Sequence, residues 1–153
     1  MKVEIFKIES SDTTSLRRLL DVFAGVFEMG TAEFPSDAHL EVVLQNKTFF
    51  SFAASVSDVI VGGATCYILP PYYSTSPHVY IFDLAVLPQF QRLGFGNRLV
   101  QAVIEHSRKI GADEVFVQAD NTDHHALAFY RAIGGNAENV THFTYPVKKP
   151  NLS

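Results

Sequence analysis

The sequence predicts a mixed α/β domain in which antiparallel strands come first and a strand–helix–strand crossover follows. Three observations carry that prediction. Two apolar runs flank Ser57-Asp58 as the arms of a hairpin do, a helix-spaced apolar stripe begins directly after a glycine-bearing turn at residues 94–96, and a short apolar strand follows that helix.

Taken in order, Val3, Ile5 and Ile8 among charged residues make a first strand, and Ser10-Ser11-Asp12-Thr13 supplies caps for a helix whose Leu16, Leu19, Leu20, Phe23 and Phe27 recur at helical spacing. Residues 29–36 lack periodicity and read as a loop, and Ser36-Asp37 caps a second short helix through about Gln45. The hairpin runs from Thr48 to Val56 and from Val59 to Leu69, and the proline- and tyrosine-rich stretch 70–77 breaks it off in a loop. His78 to Leu87 is the next strand, and Pro88 ends it. A helix from about Gly94 to Ile110 carries Leu99, Val100, Val103, Ile104 and Ser107 on one stripe, and Gly111 stops it. Val115-Phe116-Val117 is a short strand, His124 to Ile133 a helix ended by Gly134-Gly135, and Val140 to Val147 a last strand.

The 153 residues fit one domain, 1–153, large enough to bury a core without disulfides or a structural metal. Lys+Arg of 12 against Asp+Glu of 16 leaves a net charge of −4, which argues against a nucleic-acid backbone and suits a cationic partner. The single Cys66 forms no internal disulfide, the N-terminus lacks a signal-peptide run, and no stretch approaches a membrane span. A soluble cytoplasmic protein is the expectation. No His/Cys/carboxylate group has metal-ligand spacing, and His124-His125 point to different helix faces, so no metal is expected.

The most informative stretch is Asp83-Leu84-Ala85-Val86-Leu87-Pro88-Gln89-Phe90-Gln91-Arg92-Leu93-Gly94-Phe95-Gly96-Asn97. A strand delivers the chain to a turn with two glycines, and a helix starts there. Unpaired backbone N–H groups converge at such a point, the helix dipole is positive, and missing Cβ atoms admit a diphosphate; Arg92 adds charge. A tight turn with no ligand is the plain alternative. The dinucleotide fingerprint is missing its third glycine, because Leu99 stands there, although Glu114 lies twenty residues beyond Gly94; no Gly-Lys-Ser or Gly-Lys-Thr marks a triphosphate loop.

Gln91-Arg92-Leu93-Gly94-Phe95-Gly96 after the strand Ile81–Val86 resembles the acetyl-CoA motif of the GNAT N-acetyltransferase superfamily, Gln/Arg-x-x-Gly-x-Gly/Ala, and Ala128–Gly134 is similar to its second motif. The likeness spans roughly residues 3 to 147. Lys47-Thr48-Phe49, Tyr67–Pro70, Tyr80–Val86, Val117–Asp120 and His142-Phe143 are similar to segments of type I aminoglycoside 3-N-acetyltransferases. That group carries an acidic residue where Thr144 stands and Asp-Pro where His124-His125 stand. The resemblance implies a GNAT fold, a mixed and mostly antiparallel central sheet with helices on both faces, and strands splayed at the acetyl-CoA site.

It also implies roles. Leu84, Ala85 and Val86 would pair with the pantetheine arm, Val86 N–H would polarise the acetyl carbonyl, and the main chain of Gln91, Arg92, Leu93, Gly94, Phe95, Gly96 and Asn97 would cradle the diphosphate. Tyr130 would meet the CoA sulfur as the acid, with an aromatic anchor as its other reading. Asp120, ending its strand, is the leading proton acceptor and alternatively a helix cap; Asp83 is the second acid, either paired in the core or facing a wet cleft. Glu28, Glu33, Asp37, Tyr80 and His142 complete the acceptor side, against plain solvated or packing roles, and Tyr72 and Tyr73 either stack on a sugar or serve as ordinary loop anchors. Cys66 reads as a buried structural thiol, which leaves direct transfer in a ternary complex.

The expected function is therefore acetyl-CoA-dependent acetylation of a cationic amine, the 3-amino group of an aminoglycoside antibiotic, by a homodimer conferring resistance. The alternatives are acetylation of a polyamine, a peptide N-terminus or a lysine, or a non-catalytic acyl-CoA-binding domain.

Overall fold

A computed structural model describes residues 1–29 and 33–148, in two compact units, the first ending at Gln118 and the second beginning at Ala119. The first holds β1 (Val3–Lys7), α1 (Thr13–Val26), α2 (Asp37–Gln45), β2 (Phe49–Val56), β3 (Val59–Leu69), β4 (His78–Val86), α3 (Phe95–Lys109) and β5 (Glu114–Val117), with one 3₁₀ turn at Pro88–Phe90. The second holds α4 (His124–Ala132).

The sheet runs in the order β1-β2-β3-β4-β5, antiparallel through β4 and parallel between β4 and β5. Short connections make the antiparallel pairs, while α3 supplies the crossover that a parallel pair requires. Ser57 and Asp58 sit at φ of 49° and 67°, the two left-handed positions of the tightest hairpin turn, whose twist matches that of β2 and β3; the register of the pair shifts once, between Ala54 and Ser55. Asp12 caps α1 by accepting from Ser15 N at 3.0 Å, and Ser36 caps α2.

Leu16, Leu19, Val22 and Phe23 of α1 join Leu40 and Leu44 of α2 on one face of the sheet against Phe49, Ala53, Ile60 and Ala85. Phe95 and Leu99 of α3 pack the other face against Ala54, Val61 and Val86. Gly63 sets how closely α1 approaches: a Cβ there would stand 2.5 Å from a Leu19 methyl and 2.6 Å from the Phe52 carbonyl oxygen.

The predicted last strand, Val140–Val147, is not one; no strand is formed among the described residues of the second unit. Apolar residues in a short run do not by themselves make a strand, because its N–H and C=O groups need a ladder partner and Pro146 has no N–H to offer one. Phe143, Tyr145 and Val147 are left exposed.

Candidate functional site

The site of interest in the first unit starts with an irregularity in β4. Thr65 lies opposite Asp83 but Cys66 lies opposite Ile81, so Phe82 is an extra residue bulged out of the ladder. At that same point β5 lets go, since its pairing covers only His78–Ile81 against Glu114–Val117. From Phe82 to Val86, β4 is held by β3 on one side and has no strand on the other among the described residues. The expected splay between the two strands is thus a bulge followed by an open edge.

Which groups face that edge follows from strand alternation. Leu87 N–H points to β3, where it donates to the Val61 carbonyl at 2.8 Å, so the N–H and C=O of Val86 point the opposite way, as do those of Leu84. Gln91 Nε2 confirms the direction by donating to the Val86 carbonyl at 2.9 Å. The Val86 carbonyl is therefore engaged within the protein, while its N–H lies on the open side. Gln91, expected at the cofactor, contributes its side chain to fixing the turn against the strand.

Between edge and helix the chain makes the 3₁₀ turn at Pro88–Phe90, then turns left-handed at Arg92 (φ 62°) and Gly94 (φ 86°). Gly94 is the N-cap residue of α3, and the N–H groups of Phe95, Gly96 and Asn97 have no acceptor within the helix. A Cβ on Gly94 would meet nothing within 4 Å, so the space above the turn is open. Exposed backbone donors, the positive end of a fifteen-residue helix and the exposed Arg92 side chain fit a diphosphate.

Asp83 lies on the face of Ala85, the α1/α2 side, half-buried, and that burial raises its carboxyl pKa above the ordinary value. Tyr80 stacks flat on Phe116 with centroids 4.7 Å apart and donates its hydroxyl to Gln118 Oε1 at 3.0 Å. Asp37 is committed to Arg17, whose Nη2 lies 2.7 Å from Asp37 Oδ1, so it does not stand as a free acid. Glu28 is left-handed at φ 53°, and both it and Glu33 are exposed. Burial pushes the Cys66 thiol well up, which removes it as a nucleophile at neutral pH. No group of three metal-ligating side chains occurs among the described residues.

In the second unit Asp120 is exposed and its carboxylate accepts from Thr122 N at 2.8 Å and Thr122 Oγ1 at 2.7 Å, which lowers its pKa. The turn is Asp120's structural task; the cap of α4 belongs to Asp123, which accepts from Ala126 N at 3.0 Å. Tyr130 lies half-buried on α4, its ring 5.1 Å from Phe129, and its carbonyl closes the helix by accepting from Gly135 N at 2.9 Å. His142 is exposed and outside any strand.

Sequence reasoning missed a row of rings on the α1/α2 face. Phe49, Tyr67, Phe82, Tyr80 and Phe116 follow one another at centroid distances of 5.4, 5.6, 5.7 and 4.7 Å. The aromatic spacing of Tyr80 and Phe82 hinted at it, but four strands, β2 to β5, had to be placed in register before the row existed.

Residues 15–134 match the acetyltransferase (GNAT) family. The fold superposes with a TM-score of 0.93 on an aminoglycoside acetyltransferase, meta-AAC0020, from an uncultured soil metagenomic sample, solved in complex with sisomicin; the two are 39% identical over 95% of this chain and 97% of that one. An aminoglycoside N(6')-acetyltransferase type 1 of Salmonella typhimurium is 31% identical over 65% of this chain and 72% of its own. An uncharacterized N-acetyltransferase, YvbK, of Bacillus subtilis is 34% identical over 42% of this chain and 41% of its own. The chain spans between 41% and 56% of the first curated relatives it matches.

Proposed function

The chain belongs to the GNAT acetyltransferase family, whose members use acetyl-CoA, and from that premise we propose that it transfers an acetyl group to an amine of an aminoglycoside, at the 3-amino position. The observation that carries the reading is the open β4 edge running into the left-handed turn at Gly94. It offers a peptide-like arm a strand to pair with and a diphosphate a helix N-terminus to rest on. The aminoglycoside is supported by the 39% identity to the sisomicin-bound acetyltransferase and by net charge −4.

Acetyl-CoA supplies the thioester. Leu84 and Val86 offer main-chain donors and acceptors to its arm, with Val86 N–H placed as the donor to a carbonyl oxygen. The turn from Gln91 to Asn97 binds phosphate oxygens. Tyr130 is the proton donor to the departing thiolate. Asp120 takes the amine's proton directly or through water; its lowered pKa makes it a weak base, and Asp83, with its raised pKa, is the second acceptor. Removing one charge and an ammonium's donors from the drug weakens its hold on RNA, and resistance is the consequence proposed. The protein is proposed to act in the cytoplasm as a homodimer, supported by the exposed apolar side chains Val140, Phe143, Tyr145 and Val147, which suit a second copy.

The test is thiol release from acetyl-CoA in the presence of gentamicin, sisomicin, kanamycin, spermidine or peptides. Release with the aminoglycosides and not with spermidine or peptides is the expected result. Release with none, despite CoA binding, points to a non-catalytic acyl-CoA-binding domain and overturns the proposal.

A further inference from the structure

The ring row lies beside the start of the parallel β4–β5 pair. Beyond Phe116 it opens into a groove of about 320 Å³ between the Leu69-Pro70-Pro71 segment, Tyr73, His78 and Glu114. His78 and Glu114 are register partners at the start of the parallel pair, and Asp83 lies four β3 residues away, at Thr65 rather than Leu69. At about 3.3 Å per residue, the two acids are offset by about 13 Å along the strand direction, on neighbouring strands of one sheet face. The floor between them is aromatic: Phe82 is 57% exposed and Tyr67 37%. The Glu114 carboxylate is exposed, and His78 Nδ1, at 3.1 Å, neutralises it only when protonated.

Resting on the acetyltransferase reading above, we propose that this lane is an acceptor subsite for a multi-ring amino sugar. The ring that carries the reacting amine lies toward Asp83, the C–H faces of the rings rest on Phe82, Tyr80 and Phe116, and an ammonium on a distal ring meets Glu114. Aromatic faces and carboxylates complement the two chemistries such a molecule presents, apolar ring faces and protonated amines. A flexible polyamine has charges and no ring faces, and a single-ring amine is too short to reach both acids. Glu114 and Phe82 are thus specificity-determining residues, selecting acceptor length.

The experiment compares KM for sisomicin with KM for 2-deoxystreptamine alone in wild type, Glu114→Gln, Glu114→Lys and Phe82→Leu, with thermal melting and acetyl-CoA affinity measured beside them. An exposed ion pair of up to ~1 kcal/mol corresponds to up to about a fivefold change. The KM for sisomicin rises about threefold in Glu114→Gln and by about tenfold or more in Glu114→Lys, where repulsion is added. Phe82→Leu raises it about fivefold through lost ring contact. The ratio of the sisomicin KM to the 2-deoxystreptamine KM, which a general folding defect does not move, rises by the same factors. If wild type turns over sisomicin and the variants keep its ratio, the lane is wrong and the acetyltransferase reading stands; if wild type turns over no aminoglycoside, that reading fails and the lane falls with it.

Discussion

Gly94 and Gly111 form a matched pair on which the cofactor assignment can be tested. Both are left-handed, at φ of 86° and 77°, and a Cβ on either would meet nothing within 4 Å. They bracket the same helix, Gly94 as N-cap residue of α3 and Gly111 just past its end. Alanine at either site therefore carries the same backbone penalty, about 1 to 2 kcal/mol for an L-residue in this region. For a chain of this size each kcal/mol lowers the melting temperature by about 2 to 4 °C. The two variants should lose stability alike.

Only Gly94 stands where phosphate oxygens would approach the main chain. A new methyl there displaces the ligand from at least one charge-assisted backbone hydrogen bond, worth about 1.5 to 3 kcal/mol, or roughly a tenfold to hundredfold loss in CoA affinity. Titration calorimetry of CoA into both variants, below their melting transitions, reads the difference. Gly94→Ala should bind at least about tenfold more weakly than Gly111→Ala. Equal affinities would refute the assignment of the turn, whatever the two variants do to stability.

Other expectations follow from single environments. His106 packs on Phe50 at 4.5 Å, and burial, together with Lys7 and Lys109, lowers its pKa. The folded state thus favours neutral imidazole, so its contribution is present above the unfolded value near 6.5 and is lost as pH falls below it; melting at pH 7 and pH 5 should differ more in wild type than in His106→Phe. Asp83→Asn should raise the melting temperature at pH 7, because it removes a half-buried carboxylate, while weakening amine turnover; an unchanged turnover would free Asp83 of any part in the site. Gly63→Ala should destabilise by about 1 to 3 kcal/mol in denaturant unfolding, since the new Cβ overlaps the fully buried Leu19 side chain and the Phe52 backbone carbonyl. Cys66→Ala should keep full turnover, and a large loss with folding intact would revive a covalent route through the thiol.

Much of the fold was legible because its signals were local. The Ser57-Asp58 turn, the glycine stops at Gly111 and Gly134, and the apolar stripe of α3 each lie within a few residues, and each appears where the pattern placed it. The bulge at Phe82 was not legible, since 78–86 reads as one apolar run and the extra residue appears only against β3. Val140–Val147 read as a strand from its apolar residues, but among the described residues it has no ladder partner. At the site, the turn was read from its glycines, whereas Gln91's bond to the Val86 carbonyl and Asp37's commitment to Arg17 depend on side chains meeting across the fold. Glu114 drew notice only for its distance from Gly94 in the chain; its place at the end of the ring row required the parallel register.

The most direct measurement of the central claim is the structure of the product: wild-type protein, acetyl-CoA and sisomicin are incubated to completion and the antibiotic is read by NMR. A single acetyl group on the 3-amino nitrogen is the predicted result. Acetylation at the 6'-amino group would retain the enzyme and contradict the position, and recovery of unmodified sisomicin would contradict the account itself.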